Sequence, residues 1–182
     1  MKNLQLPADY KSVLSLRETQ KAIKIIKDTF QVKLSEELNL DRITAPLFVT
    51  SDSGINDDLN GVERKVDFTI REIDNCKCEV VQSLAKWKRM ALYRYGYEPG
   101  SGIYTDMNAI RRDDDMDNLH SIYVDQWDWE KVITAEDRNE EYLKAAVRSI
   151  YGAVLRTAKE IEKKYPVLEN YLPDRISFVS TY

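Results

Sequence analysis

Two strand-like segments divided by a run of charge constrain this chain more than any other feature. The first runs from Ile103 to about Arg111, the second is SIYVDQWDWEKVI from Ser121 to Ile133, and RRDDDMDNLH lies between them. Period two along the second segment puts Ile122, Val124, Gln126, Asp128 and Glu130 on one face. Tyr123, Asp125, Trp127 and Trp129 fall on the other. The tryptophans predict that the aromatic face is the buried one. The polar groups opposite are either a wet sheet face or part of a site. If the two strands are antiparallel neighbours, Arg111 lies near the start of the second and could share a face with Gln126 and Asp128. An arginine ending a strand before a charged loop can turn its fork to a phosphate. A surface arginine paired with its acidic neighbours is the plainer reading.

Elsewhere the pattern alternates helix and strand without a βαβ rhythm. Ser15 and Glu18 have capping-box spacing, and Ile23, Ile26, Phe30, Leu34 and Leu38 follow at helical intervals. This predicts a helix of about six turns ending near Asn39–Asp41. ITAPLFV, Ile43 to Val49, reads as a strand, with Pro46 confining it to an edge or an interface. After the polar loop 51–62, Val66, Phe68 and Ile70 alternate with polar residues. Asp74-Asn75 is a turn signal, and Cys78 to Val81 completes a hairpin. Ser83 can cap a helix carrying Leu84, Trp87, Ala91 and Tyr95, with Gly96 at its end. A last helix carries Leu143, Val147, Ile150, Val154, Ala158, Ile161 and Tyr165, and Pro166 stops it. The expected class is α+β with a largely antiparallel sheet flanked by helices.

The bulk numbers exclude more than they select. With 182 residues the chain has the length of one domain or a large piece of one, and a net charge of −4 offers no basic footprint for nucleic acid. A small anionic substrate held by local cations stays open. No apolar run is long enough to span a bilayer, and MKNLQLPADYK lacks the apolar stretch of a secretory signal. Cys76 and Cys78 form no disulfide framework, and a lone C-x-C falls short of the roughly four ligands of a zinc site. His120 is the single histidine, and no G-x-S-x-G, P-loop or G-x-G-x-x-G occurs. On composition alone Lys88 belongs to a solvated helix face, and Asp57 and Asp58 are turn formers.

Five stretches carry a resemblance. DDLNGVE (57–63), SLAKWKR (83–89), YTDMNAIRRDDD (104–115), LHSIYVDQWDWE (119–130) and PDRISFV (173–179) closely resemble the ammonia-dependent asparagine synthetase family, in order, from about residue 20 to the end. The resemblance implies a class II aminoacyl-tRNA-synthetase-like catalytic core. Residues 1–182 would form a single, partial catalytic domain truncated before the Gly-rich motif 3, ending at FVSTY inside a strand. The helix and Pro46 strand, 16–49, would be motif 1, which builds a homodimer. The strand–loop–strand would be motif 2, whose arginine contacts the ATP α-phosphate.

The implied reaction is aspartate–ammonia ligation. The aspartate side-chain carboxylate attacks the α-phosphorus of ATP, giving β-aspartyl-AMP and pyrophosphate, and ammonia then displaces AMP to give L-asparagine. The resemblance assigns Arg111 to the α-phosphate, Lys88 to a carboxylate of aspartate, and Asp57 and Asp128 to the substrate ammonium or the ammonia. Gln126 is assigned to the adenylate or the reacting carboxylate, and Asp114 to the nucleotide amine. Arg111, Asp128 and Lys88 form the catalytic set. ATP and Mg²⁺ are expected, with the metal's ligands in a C-terminal part beyond this chain. L-aspartate, ammonia and ATP are the expected partners, without nucleic acid or membrane, in the cytoplasm. The isolated chain is expected to be inactive. Gln82 stands where some relatives have histidine. The alternatives are an aspartyl- or asparaginyl-type tRNA synthetase core, and a non-catalytic dimerisation fragment.

Overall fold

The computed structural model describes residues 5–179. Among these residues are three α-helices, α1 (Leu16–Leu38), α2 (Ala85–Arg94) and α3 (Glu140–Lys164), one 3-10 turn (Ser51–Ser53) and six strands. The strands are β1 (Leu40–Arg42), β2 (Phe48–Thr50), β3 (Asp67–Ile70), β4 (Cys76–Val80), β5 (Gly102–Ile110) and β6 (Tyr123–Lys131). The chain forms two compact units, one from residues 5–8 and 41–132, the other from 9–40 and 133–179.

The second unit is a helix pair. Ser15 Oγ accepts from the Glu18 N–H at 3.3 Å, and the Glu18 carboxylate accepts from the Ser15 N–H at 2.9 Å, so the expected capping box starts α1. Asn39 ends it in the left-handed region at φ 56°, where a short polar side chain is tolerated. Asn139 caps α3 by accepting from the Tyr142 N–H at 2.9 Å. The interior is drawn from Ala22, Leu34 and Leu38 of α1 and from Ala153, Thr157 and Ile161 of α3. The two alanines, with only a methyl each, leave the backbones little to hold them apart. Thr157 satisfies its hydroxyl on the Ala153 carbonyl at 2.9 Å. The buried line of α3 therefore runs beside the expected Val154–Ala158 stripe, and Leu143 and Ile23 are exposed. Residues 173–179 carry no strand, contrary to the expectation for FVSTY. Tyr151 instead donates to the Pro173 carbonyl, and the Lys144 and Arg148 cations lie 5.7 and 5.2 Å from the centre of the Phe178 ring. The last residues of that stretch, 180–182, lie outside the described residues.

The first unit holds two three-stranded sheets, in the orders β1-β5-β6 and β2-β4-β3. The expected strand from Ile43 to Val49 is not continuous. β1 ends at Arg42, before it, and of the expected residues only Phe48 and Val49 are in a strand, β2, which starts two residues after Pro46 and lies at a sheet edge. The β3–β4 hairpin is antiparallel, with Phe68 opposite Cys78, and its turn puts Asp74 and Asn75 at φ 47° and 57°. Two residues of positive φ give the twist that a tight hairpin needs. Ser83 Oγ accepts from the Ala85 N–H at 3.2 Å, but the N-cap position of α2 is Leu84, one residue past the expected cap. Two apolar clusters fill the interior. Val81 and Leu84 meet Met107 and Ala109, and Ala91 and Leu92 meet Ile103; Trp87 packs against both.

Candidate active site

The β5–β6 ladder fixes which side chains share a face. Met107 is opposite Gln126 and Thr105 opposite Asp128, and residues directly opposite in an antiparallel pair point to the same side. The Arg111 N–H donates to the Ile122 carbonyl at 2.7 Å, carrying the ladder one step past β5. Arg111 thus falls on the side of Gln126, Asp128 and Glu130. Its Nε is buried and has no hydrogen-bond partner among the described residues, which is a costly state for a charged donor. Gln126 Nε2 approaches the Met107 sulfur at 3.3 Å, and a thioether is a weak acceptor.

On β5 this face is the more covered one, but on β6 the two faces are alike: Gln126 is exposed, Trp127 and Trp129 are half-buried, and Tyr104 opposite Trp129 is buried, so the expected buried aromatic face is met in part. Ile103, Thr105, Met107 and Ala109 are buried on the side that α2 crosses, whereas Trp127 and Trp129 on the other side are half-buried and Tyr123 is exposed. Lys88 is the reason that acids can occupy the covered side. It is only 4% exposed. Its ammonium pairs with Asp128, donates to the Trp129 carbonyl at 2.8 Å and stands 3.5 Å from Glu130. The solvated-face reading of Lys88 does not hold. Glu130 also faces Arg89 at 3.6 Å.

Asp57 sits in the loop between β2 and β3 and meets Lys86 of α2 at 3.6 Å. The residue that fixes this loop is Asn56, which sequence reasoning missed. It is buried, donates to Glu79 at 3.2 Å and to the Val80 carbonyl at 3.1 Å, and accepts from the Gln82 N–H at 2.8 Å. Lys86 adds a bond to the Gly54 carbonyl at 3.3 Å. Gln82 is buried as well, and its Oε1 has no partner among the described residues.

Asp114 lies apart from Lys88 and Asp128. It lines a cleft of about 470 Å³ with Asn60, Glu63, Asp113, Asp117 and His120. Arg64 donates from Nη2 to Asp113 at 2.5 Å, from Nε at 3.0 Å, and from its backbone N–H at 2.8 Å. Those bonds hold the Asp113 carboxyl down at about 2. Asp117 is likewise held at about 2, first by the Leu119 N–H and then by His120. The same contact raises the His120 pKa. Among the described residues no three His, Cys, Asp or Glu side chains converge as a metal's ligand set. Cys76 and Cys78 are free thiols. No described helix is long and apolar enough to cross a membrane.

Comparison with known proteins assigns the lineage. A family described as aspartate-ammonia ligase matches residues 17–182. The aspartate–ammonia ligase of Clostridium perfringens (strain SM101) is 56% identical over 181 residues, covering 100% of this chain and 54% of that protein. That of Clostridium tetani is 56% identical over 178 residues, covering 98% and 52%, and that of Bacteroides fragilis (strain YCH46) 55% over 179 residues, covering 98% and 52%. The chain spans about half the length of these relatives. Among solved structures, pyrrolysyl-tRNA synthetase from Desulfitobacterium hafniense is similar with a TM-score of 0.50 and 12% identity, over 75% of this chain and 52% of that one. That likeness bears on fold alone and accords with the class II synthetase-like core expected of motifs 1 and 2. A match running from residue 17 to the last residue places the chain in the aspartate–ammonia ligase family.

Proposed function

We propose that residues 1–182, both compact units together, form part of one catalytic domain of an ATP-dependent aspartate–ammonia ligase, the part that grips the amino acid and the α-phosphate. The observation that carries this reading is the shared face of Arg111, Gln126 and Asp128, with the Arg111 Nε buried and unpartnered. In the first step a carboxylate approaches a phosphate, and a guanidinium held in a low-dielectric position reduces their repulsion. Arg111 takes the α-phosphate oxygens. Gln126 offers an amide to the adenylate or to the reacting carboxylate, in exchange for its weak contact with Met107.

Lys88 holds a carboxylate of aspartate. Its ammonium already has three acceptors, and the Glu130 oxygen at 3.5 Å is the weakest of them. A substrate carboxylate displaces that contact while Asp128 and the Trp129 carbonyl keep the cation in place, and Arg89 retains Glu130. Asp57 and Asp128 accept the substrate ammonium or orient ammonia for the second step. Asp114 faces the nucleotide amine from the acidic cleft. Mg²⁺ is expected with ATP, but these residues do not supply a ligand set for it, and no step here is routed through it. A homodimer through 16–49 is part of the same reading, supported by the exposed apolar side chains Leu16, Val32, Leu47 and Phe48. So is a cytoplasmic location, with both thiols free.

The test is an assay with aspartate, ATP and ammonium on two polypeptides. One is this chain, and the other is this chain fused at Tyr182 to the C-terminal half of the Clostridium perfringens relative. The reading expects the fusion to form AMP, pyrophosphate and asparagine in equal amounts, and the chain alone to form none. A fusion that folds and yields ADP, or that turns over without aspartate, sinks it.

A further inference from the structure

On the ligase reading above, we propose that Arg64 and Asp113 are positioning residues. They tie the loop carrying Asp57 to the loop behind Arg111, so that the amino-acid end and the nucleotide end of the site are ordered together.

No strand pairing joins loop 51–66 to loop 111–122; side chains do. The Arg64 fork and its own backbone N–H all converge on the Asp113 carboxylate, at 2.5 to 3.1 Å. Arg112 adds a longer bond to the Lys65 carbonyl at 3.4 Å. An exposed ion pair with one contact is worth little, and the Arg64 side chain is 69% exposed. Asp113 is different because its side chain is only 23% exposed and is held at several points. A fork-shaped contact fixes direction as well as distance.

The contacts continue from this pair to both ends of the site. Lys65, next to Arg64, grips Asp58 at 2.6 Å and Glu79 at 3.2 Å. Asp58 is the neighbour of Asp57, and Glu79 is the residue that Asn56 holds. On the far side, Asp113 follows Arg111 by two residues. Asp57 and Arg111 are therefore linked by a short series of covalent neighbours and side-chain bonds. Coupling needs such a contiguous element with two arrangements, tied and untied. A ligand that orders one loop lowers the entropy cost of ordering the other.

Hydrogen exchange on the 182-residue chain tests the tie without any ligand. Arg64→Ala is expected to speed exchange of the amides at 111–117, and Asp113→Ala those at 57–66, each by about tenfold. The reversed pair, Arg64→Asp with Asp113→Arg, is expected to restore most of the protection. Exchange in the opposite loop within about twofold of the parent in either single variant overturns the proposal. Titration of the fusion with L-aspartate, with and without ATP and with Mg²⁺ chelated so that no adenylate forms, then reads the consequence. ATP is expected to tighten aspartate by about threefold or more. Arg64→Ala is expected to abolish that factor while leaving aspartate affinity without ATP nearly unchanged, whereas a merely structural role would weaken both alike. An unchanged factor in Arg64→Ala overturns the proposal. If the fusion binds neither ligand, the ligase reading fails, and the exchange result still decides whether the tie exists.

Discussion

Replacing Lys88 by methionine removes the ammonium from between Asp128 and Glu130, and its cost can be set against that of replacing Asp128. Breaking a fully buried pair by deleting one partner costs about 3–5 kcal/mol, because the other charge is stranded. Asp128 and Glu130 keep 19% and 28% of their side-chain exposure, so water screens part of the penalty. Lys88→Met is therefore expected to cost about 2–4 kcal/mol. Asp128→Asn leaves an amide oxygen for Lys88 to donate to, along with the Trp129 carbonyl at 2.8 Å. Its cost is about 1–2 kcal/mol. Lys88→Met combined with Asp128→Asn removes both charges of the pair and is expected to cost less than the sum of the two single changes. Urea unfolding monitored by tryptophan fluorescence measures all of these, provided the m-value is constant. If Asp128→Asn costs as much as Lys88→Met, or if the double variant is additive, then Lys88 does not compensate charge on the covered face.

Other expectations follow from single contacts. Ala153 is fully buried between α1 and α3, so Ala153→Leu is expected to destabilise by about 1–3 kcal/mol through overpacking, read as a lower urea midpoint. Asn139→Ala removes the cap at the start of α3 and is expected to cost about 1 kcal/mol, read by thermal melting of helical ellipticity. Asp113 and Asp117 are depressed to about 2. Their contribution is complete above the usual carboxylate pKa of about 4 and is lost as pH falls toward 2. His120 is raised, so its contribution is complete below about pH 6.5 and is lost as pH rises through the raised value. NMR signals from loop 111–122 should therefore change at both ends of that range, and Asp117→Asn should move the upper transition down toward the ordinary histidine value of about 6.5.

Much of the fold was legible because local chemistry and tertiary packing agree. Ser15 with Glu18, the Asp74-Asn75 turn and the helix-terminating Pro166 each announce an element boundary that forms. The failures share a cause. Trp127 and Trp129 suggested a buried aromatic face, which is met only in part, because α2 crosses the opposite side, and Lys88 makes it able to take carboxylates. A ladder's period shows which residues travel together, not which face a helix will cover. Pro46 was read as marking an edge strand, and β2 does lie at a sheet edge, but it begins only at Phe48, so the strand is shorter than expected. In α3 the seam follows Ala153 and Thr157, since close helix approach selects small residues that hydrophobicity ranks below Val154. Asn56 left no signal, because a buried amide bonded to backbone looks the same in sequence as an ordinary turn residue. The Arg64–Asp113 contact spans 49 positions, and no periodicity marks it. The coincidence of Arg111, Gln126 and Asp128 was legible only on the assumption of antiparallel pairing, and the register meets that assumption.

The most direct measurement is aspartate-dependent exchange of labelled pyrophosphate into ATP by the fusion polypeptide, with Arg111 intact and replaced by alanine. The account predicts that Arg111→Ala lowers the exchange rate by two orders of magnitude or more, on the order of the ~3 kcal/mol that one preorganised charge contributes at a transition state, while leaving the urea midpoint nearly unchanged. Exchange at close to the parent rate would contradict it, because the Arg111 guanidinium, with its buried and unpartnered Nε, would then have no part in meeting the phosphate.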